Sequence, residues 1–278
     1  MTISGLNGFL KKRGLNAVNI DIKYLKNKKV CIDTSNLMYR YFNICLKEMK
    51  ELIFLNNKTV IYDKWFSMLG YLVDIFNSNN IKTLWIFDGK ADILKKKTQD
   101  KRRQIYQDRL KLKKECEERD PDSAEYVTLD NMISRDDLNK LQEYLYNRGC
   151  NIVISKTESE RTCAILCKQG KYDLAYSQDS DLLAHGCNLI IKELNRNVAK
   201  IQCLTTVLNC LEISYEKFLM FCLLCGTDYS ENVDGYGPVS NYKLIKEYSS
   251  IEEILEVYKN ENLDYSMINY YEVIKLFI

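Results

Sequence analysis

Short apolar runs rich in strand-forming residues recur along the chain as far as residue 191. Longer segments with apolar residues at helical spacing lie between them, for example Trp65 to Phe76 and Leu138 to Asn147. Continuous apolar strands that alternate with helices predict an α/β fold, with a mostly parallel central sheet covered by helices on both faces. The predicted strands are Lys29 to Ile32, Thr83 to Phe87, Asn151 to Ile154, Leu174 to Tyr176 and Leu189 to Ile191.

After Leu208 the pattern changes to helices alone, with a turn at Gly235-Tyr236-Gly237-Pro238. The 278 residues are 46% hydrophobic, which suffices for one large core, and two prolines are too few for a Pro-rich linker. No apolar run approaches the ~20 residues that span a bilayer, and no signal peptide opens the sequence. We therefore expect a soluble, intracellular protein whose eleven cysteines are reduced.

The charges are unevenly distributed along the chain. Forty basic and thirty-eight acidic residues leave a net charge of only +2. The segment from Lys95 to Lys114, called the basic segment below, holds ten basic and two acidic residues and so carries +8. Without Pro or Gly it is predicted to be helical, and its few apolar residues indicate an exposed face. Such a face is often merely solvated, but it also suits a phosphate-rich ligand.

Carboxylates follow the ends of the predicted strands. The carboxyl ends of parallel strands line one crevice, so these acids should meet there. Oxygen ligands with only one histidine, His185, in the chain select hard divalent ions such as Mg²⁺ or Mn²⁺. Taken singly, each acid could be a turn former or a helix-dipole partner. As a set they predict a two-metal site for phosphodiester hydrolysis: Asp33, Asp88, Glu158, Glu160, Asp179, Asp181 and Asp228.

Five segments, in this order, resemble the motifs of the flap endonuclease/XPG family of structure-specific 5′ nucleases. They are Val30 to Ser35, Ile86 to Lys90, Glu158 to Ala164, Ser177 to Leu183, and Leu224 to Tyr229 with Gly235 to Pro238. The resemblance implies a PIN-like 5′-nuclease fold in one domain, with a helical arch and a C-terminal helix-turn-helix that binds DNA. Its regions are expected at 1–90 (N-terminal nuclease region), 91–136 (arch), 137–207 (internal nuclease region) and 208–278 (helical region).

The resemblance also implies roles for individual residues. The seven acids match metal ligands, with Asp181 catalytic, and Lys95 and Arg102 match a basic pair that approaches the scissile phosphate. Tyr39 matches an aromatic residue that stacks on a flipped nucleotide. The turn before Pro238 also binds K⁺ in the family. Contacts to DNA are expected from Tyr39, Lys90, Lys101, Arg103, Gly235, Gly237 and Lys243.

The sequence departs from the family pattern at Thr2, where the family has glycine, and at Ala91-Asp92, where prolines are usual. The sequence ends at Ile278, before the later core helices that form much of the 3′-flap pocket in cellular members of the family, so we do not expect strict selection of a 3′ flap. No sliding-clamp tail motif is seen, so we do not expect clamp tethering. We also expect a monomer. The Lys-, Asn-, Ile- and Tyr-rich composition is typical of an AT-rich genome, viral or protist. The expected setting is therefore the nucleus or a site of viral DNA replication.

The predicted activity is that of a Mg²⁺-dependent 5′ flap endonuclease and 5′ exonuclease on branched or flapped DNA. Two alternatives remain at this point. A PIN-like ribonuclease has a related acidic crevice but lacks the basic arch and the helix-turn-helix. A catalytically silent DNA-binding protein would have no need of all seven acids.

Overall fold

The computed structural model describes residues 3–48, 58–90, 133–266 and 268–277, together with 100, 103–105, 107, 108, 111, 112, 114, 115 and 118. One seven-stranded sheet organises these residues, in the order β1-β7-β6-β5-β2-β3-β4. The strands are β1 (Val18–Asp21), β2 (Lys29–Asp33), β3 (Lys82–Phe87), β4 (Asn151–Ile154), β5 (Leu174–Tyr176), β6 (Leu189–Leu194) and β7 (Val198–Cys203).

Helices connect most of these strands and make up most of the described chain after β7. They are α1 (Leu6–Lys12), α2 (Thr34–Glu48), α3 (Lys58–Ser78), α4 (Arg135–Asn147), α5 (Ser159–Lys168), α6 (Asp181–Ala184), α7 (Leu204–Leu211), α8 (Tyr215–Leu224), α9 (Pro238–Glu247), α10 (Ile251–Asn260) and α11 (Tyr270–Ile274). Among the described residues, no helix is both long and apolar enough to cross a bilayer.

The predicted sheet is confirmed: β2 pairs in parallel with β3 and β5, β3 with β4, and β5 with β6. The structure adds two strands that the apolar runs did not predict. β7 pairs antiparallel with β6, and β1 pairs antiparallel with β7 at the edge of the sheet. Residues of β1 are mostly exposed, so this strand has no apolar run to mark it.

A separate core packs on each face of the sheet, as the alternation of side chains along β2 illustrates. Val30 and Ile32 face the core formed with α2, α3 and α4, whereas Cys31 faces the core formed with α1 and the C-terminal helices. All three side chains are fully buried. Burial of alternate residues on opposite faces explains why a central parallel strand appears in sequence as an unbroken apolar run.

The C-terminal helices pack around α8, in which every residue from Phe218 to Leu224 is buried. Residues 225–237, called the turn segment below, connect α8 to α9. α1 joins this layer, because the ring of Phe9 lies 4.9 Å from that of Phe221 and 5.3 Å from that of Tyr242. The predicted helix-turn-helix is therefore built into the core beside the sheet.

Candidate active site

The acids collect where the chain reverses its path through the sheet. From β2 the chain proceeds outward through β3 to β4 and then returns to the other side of β2 as β5. Such a switch point opens a crevice at the carboxyl ends of the two flanking strands. Asp33 is the last residue of β2, and Asp179 and Asp181 follow β5.

Ser159, the first residue of α5, joins two of the acids. Its hydroxyl lies 2.6 Å from Asp33 Oδ1 and 2.8 Å from Asp88 Oδ1, and its backbone N–H donates to Asp88 Oδ1 at 2.7 Å. Ser177 Oγ donates to the other oxygen of Asp33 at 2.9 Å. Burial and the nearby charge of Asp88 raise the pKa of Asp33, although these hydrogen bonds oppose the rise. A cation beside the pair would stabilise the charged form of both carboxyls.

The loops after β3 and β4 are fastened to each other at Gly89. Its N–H donates to Thr157 O at 2.7 Å, and Ser155 N–H donates to Phe87 O at 2.9 Å. A Cβ on Gly89 would lie 1.9 Å from Ser155 O, so only glycine allows this approach. The close contact brings Asp88 and Glu158 to the same side of the crevice.

A second group of acids surrounds Asp181, which is 1% exposed. Its Oδ1 accepts a hydrogen bond of 3.0 Å from the N–H of Ile3. Its Oδ2 is buried and has no hydrogen-bond partner in the described part of the chain. Burial, followed by repulsion from Asp179 and Glu160, raises the pKa of Asp181 well above its usual value.

Glu158 connects the crevice to the turn segment. Its Oε2 accepts a hydrogen bond from the hydroxyl of Tyr229, the residue after Asp228. This contact draws the turn segment, and Asp228 with it, toward the loop after β4. Tyr229 was not singled out from the sequence, where it is one tyrosine among twenty.

Two further ionisable residues near the acids were not predicted from the sequence to belong to the site. His185 is 4% exposed, stacks on Phe277 at 4.4 Å between ring centroids, and lies 3.9 Å from Glu160 Oε1. Burial lowers the pKa of His185 to about 3, so the ring is neutral. Lys192 is largely buried in the second half of β6, and burial lowers its pKa to about 8 against the opposing charges of Asp179 and Asp181. Its position directly after the apolar run Leu189 to Ile191 is the one signal that the sequence offers.

The donor set of the crevice fits a hard divalent cation. It consists of carboxylate oxygens, two of the carboxyls have pKa values raised by burial and mutual repulsion, and Asp181 Oδ2 is buried without a partner in the described structure. As they stand, no three acidic, cysteine or histidine side chains of the described residues are grouped so that they could hold a metal ion.

Some of the residues predicted to contact DNA are described by the structure, and others are not. Tyr39 lies on α2 with 42% of its surface exposed, and Lys90 and Arg103 are exposed as well. The described residues of the basic segment are helical, as predicted. Lys95, Lys101 and Arg102 lie outside the described residues.

The turn segment ends in a glycine-containing turn that leads directly into α9. Gly235 has φ of 81°, in the region that favours glycine, while Gly237 caps α9 and Pro238 is its first residue. Asn241, which is fully buried, donates to Tyr236 O at 3.3 Å and to Leu224 O at 2.9 Å. These bonds fix the turn between the two helices. Lys243 is exposed on the following turn of α9.

Comparison with known sequences gives two regions of similarity to one family. A sequence model of the XPG N-terminal domain matches residues 1–109, and one of the XPG I-region matches residues 149–228. Flap endonuclease 1-2 of Paramecium tetraurelia is 30% identical over 282 aligned residues, covering 95% of this chain and 69% of the relative. Flap endonuclease 1 of Candida tropicalis is 29% identical, covering 96% of this chain and 73% of the relative.

Solved structures with a similar fold include the catalytic core of Rad2 in complex with DNA substrate, with a TM-score of 0.68 and 20% identity. That match covers 94% of this chain and 73% of the Rad2 chain. Flap endonuclease-1 from Methanococcus jannaschii has a TM-score of 0.62 and 21% identity over 93% of this chain and 81% of its own. At these identities the likeness shows the fold, which is the expected 5′-nuclease fold.

Proposed function

Because the chain belongs to the flap endonuclease/XPG family of nucleases, we propose that it is a divalent-metal-dependent nuclease that cuts branched DNA at its 5′ strand. The observation that supports this most is the acidic crevice at the switch point of the sheet, with the turn segment held against it by Tyr229 and Glu158. The chemistry requires both parts: carboxylates for the metal and a surface for the duplex. The proposed setting is intracellular DNA replication, repair or recombination.

We propose two Mg²⁺ ions as the cofactor, with Mn²⁺ as a substitute. Two such ions, when bound, supply an activated water and stabilise charge on the leaving oxygen. The proposed ligands form two groups: Asp33 and Asp88 meet at Ser159, whereas Glu160 and Asp179 surround Asp181. Glu158 and Asp228 would complete the set near Tyr229.

The remaining proposed roles concern DNA. Tyr39 would stack on an unpaired base, and Lys95 with Arg102 would neutralise the phosphate at the cut. α9 would receive a duplex phosphate at its N-terminus, where Gly237 caps the helix without a side-chain hydrogen bond and the first N–H groups of a helix lack intrahelical partners. Lys243 would add a charge to the same strand, and K⁺ would bind at the turn. Such contacts position a duplex without reading its sequence.

The test is cleavage of a 5′-flap DNA and a sequence-matched RNA strand in Mg²⁺ and in EDTA. We expect Mg²⁺-dependent cleavage of the flap DNA by the wild-type chain. Asp181→Ala should abolish that cleavage and leave DNA binding intact or stronger, since one negative charge near phosphate is removed. Asp173→Ala is the matched control. Asp173 directly precedes β5, whereas Asp181 follows that strand, and Asp173 pairs with Lys28 at 3.3 Å.

Each other outcome selects a different function. Cleavage of RNA but not of flap DNA would favour the PIN-like ribonuclease, and binding without any cleavage would favour a silent DNA-binding protein. A near wild-type rate for Asp181→Ala in Mg²⁺ would remove Asp181 from the catalytic site.

A further inference from the structure

A largely buried lysine lies between the sheet and the second group of acids. Lys192 is on β6, and its Nζ donates a hydrogen bond of 3.1 Å to Ser180 Oγ. Ser180 is 1% exposed and separates Asp179 from Asp181 in the chain. The ammonium group is therefore anchored to the residue between two proposed metal ligands.

The anchor is part of a buried polar network. Ser180 Oγ also contacts Asn7 Oδ1 on α1 and lies 3.2 Å from Gln202 Oε1 on β7. Gln202 Nε2 in turn donates to Leu15 O at 3.2 Å. A serine hydroxyl has a single proton, so Ser180 can donate to only one of the two amide oxygens at a time. Its own oxygen accepts the hydrogen bond from Lys192. This network fixes both the loop after β5 and the position of the lysine.

The charge of Lys192 acts on the carboxylates beside it. Asp179 and Asp181 both favour its protonated form, and at neutral pH the ammonium form predominates. A cation anchored at Ser180, the residue between these two carboxylates in the chain, offsets part of their mutual repulsion at a place from which water is largely excluded.

We propose that Lys192 is a positioning residue that acts as a counter-cation for Asp179 and Asp181. Its ammonium group supplies positive charge beside these carboxylates in the metal-free protein, and a divalent ion supplies that charge when it binds. Lys192 holds the two carboxylates together before metal binding and weakens the affinity of the crevice for divalent ions. The inference rests on the proposed function, because it presupposes that these acids bind metal.

Removal of the charge changes both the metal-free protein and its binding of metal. Without Lys192 the carboxylates repel one another more strongly in the metal-free protein, but the cost of burying the ammonium group, which lowers the pKa of Lys192 to about 8, is also removed. A divalent ion then binds without competition from the ammonium group, so its affinity rises. Since a ligand stabilises the folded state according to its concentration relative to its Kd, Mg²⁺ should stabilise such a variant more than the wild type.

The experiment measures Mg²⁺ binding to the full chain without DNA, by isothermal titration calorimetry and by thermal unfolding in EDTA and in increasing MgCl₂. Lys192→Met keeps the apolar stem and removes the charge, whereas Lys192→Arg keeps the charge. Lys200→Met is the matched control on the neighbouring strand β7, where Lys200 Nζ pairs with Glu193 at 2.6 Å on the surface.

We expect Lys192→Met to lower the Kd for Mg²⁺ by about 3- to 10-fold, the range of a single partly screened charge interaction. Mg²⁺ should also raise its melting temperature by more than it raises that of the wild type. Lys192→Arg and Lys200→Met should match the wild type in Kd. If Lys192→Met does not fold, Lys192→Gln retains an N–H donor for Ser180 and should show the same fall in Kd.

An unchanged or higher Kd in the uncharged variants would overturn the proposal and leave Lys192 a structural residue of the network. Failure of the wild-type chain to bind Mg²⁺ at all would overturn the metal-dependent function together with this inference. The two failures are thus distinguished by the wild-type titration alone.

Discussion

At the scale of single residues, the crevice depends on hydroxyl groups as much as on carboxylates. Ser159 is 1% exposed and contacts Asp33 and Asp88 through one oxygen. Ser177 contacts the other oxygen of Asp33, and Ser35 Oγ accepts from the N–H of Asp88 at 3.2 Å. These residues orient the proposed ligands without being ligands themselves, a role that usually affects metal binding strongly.

Replacement of Ser159 by Ala tests that role. The variant loses the hydroxyl donor between the two carboxylates but retains the backbone bond to Asp88, so Mg²⁺ affinity or the single-turnover rate should fall about 10- to 100-fold. Titration of the cleavage rate with MgCl₂ measures the change. Ser78→Ala, at the distant end of α3, is the control and should behave as wild type. A wild-type Mg²⁺ dependence for Ser159→Ala would show that the hydroxyl does not orient the ligands.

The seven acids could be proposed as ligands from the sequence because each follows an apolar strand or helix or opens a helix, and their role stays a prediction. The side chains that contact them could not be identified from the sequence. The contact of Tyr229 with Glu158 and that of Lys192 with Ser180 join residues whose neighbourhood depends on how the whole sheet is ordered. A side chain that acts through tertiary contact leaves no periodic signal in the sequence.

At the scale of elements, the sequence predicted five strands, including the exposed edge strand β4, and missed β7 and β1 at the other side of the sheet. The five predicted strands contain apolar runs, whereas Lys200 and Gln202 interrupt the apolar residues of β7, and polar residues alternate with apolar ones in β1. The sequence also did not predict which contacts hold the loops that carry the acids. Gly89 follows Asp88 and could be a simple turn former, yet the structure shows that it is needed for close contact between the loops after β3 and β4.

Replacement of Gly89 by Ala should therefore disturb an element pair rather than a single turn. The added Cβ meets a backbone oxygen at 1.9 Å, so the loops must separate, at a cost of about 1–3 kcal/mol in the free energy of unfolding. Cleavage should fall as well, since Asp88 and Glu158 move apart. Urea unfolding and single-turnover cleavage measure the two effects.

Gly8→Ala provides the matched control for this variant. Gly8 lies within α1, and a Cβ there meets nothing within 4 Å, so the substitution should be neutral or stabilise the protein by about 0.5–1 kcal/mol. Equal stability of Gly89→Ala and the wild type would mean that the loops separate freely and that their contact does not hold the crevice.

At the scale of the whole molecule, a short N-terminal segment joins the crevice to the helix-turn-helix. Ile3 donates to Asp181, and Ser4 N–H donates to Gly226 O at 3.0 Å. Gly5, with φ of 70°, lies so close to the ring of Pro238 that a Cβ would approach Pro238 Cγ to 2.7 Å. The residues proposed to bind metal and those proposed to bind the duplex are thus held at a fixed separation.

Because different residues are proposed to bind the duplex and the metal, we predict that duplex binding and catalysis can be separated by mutation. Lys243→Ala should weaken binding to flap DNA and reduce the slope of log K against log salt by about 1, since one phosphate contact is lost. The single-turnover rate at saturating enzyme should remain near wild type, because the proposed contact of Lys243 is to the duplex backbone and not to the phosphate that is cut. Lys259→Ala is the control, as Lys259 is an exposed helical lysine that pairs with Glu256 at 3.6 Å. A slower single-turnover rate with unchanged binding would instead place Lys243 in the catalytic step, and the helix-turn-helix would then do more than position the duplex.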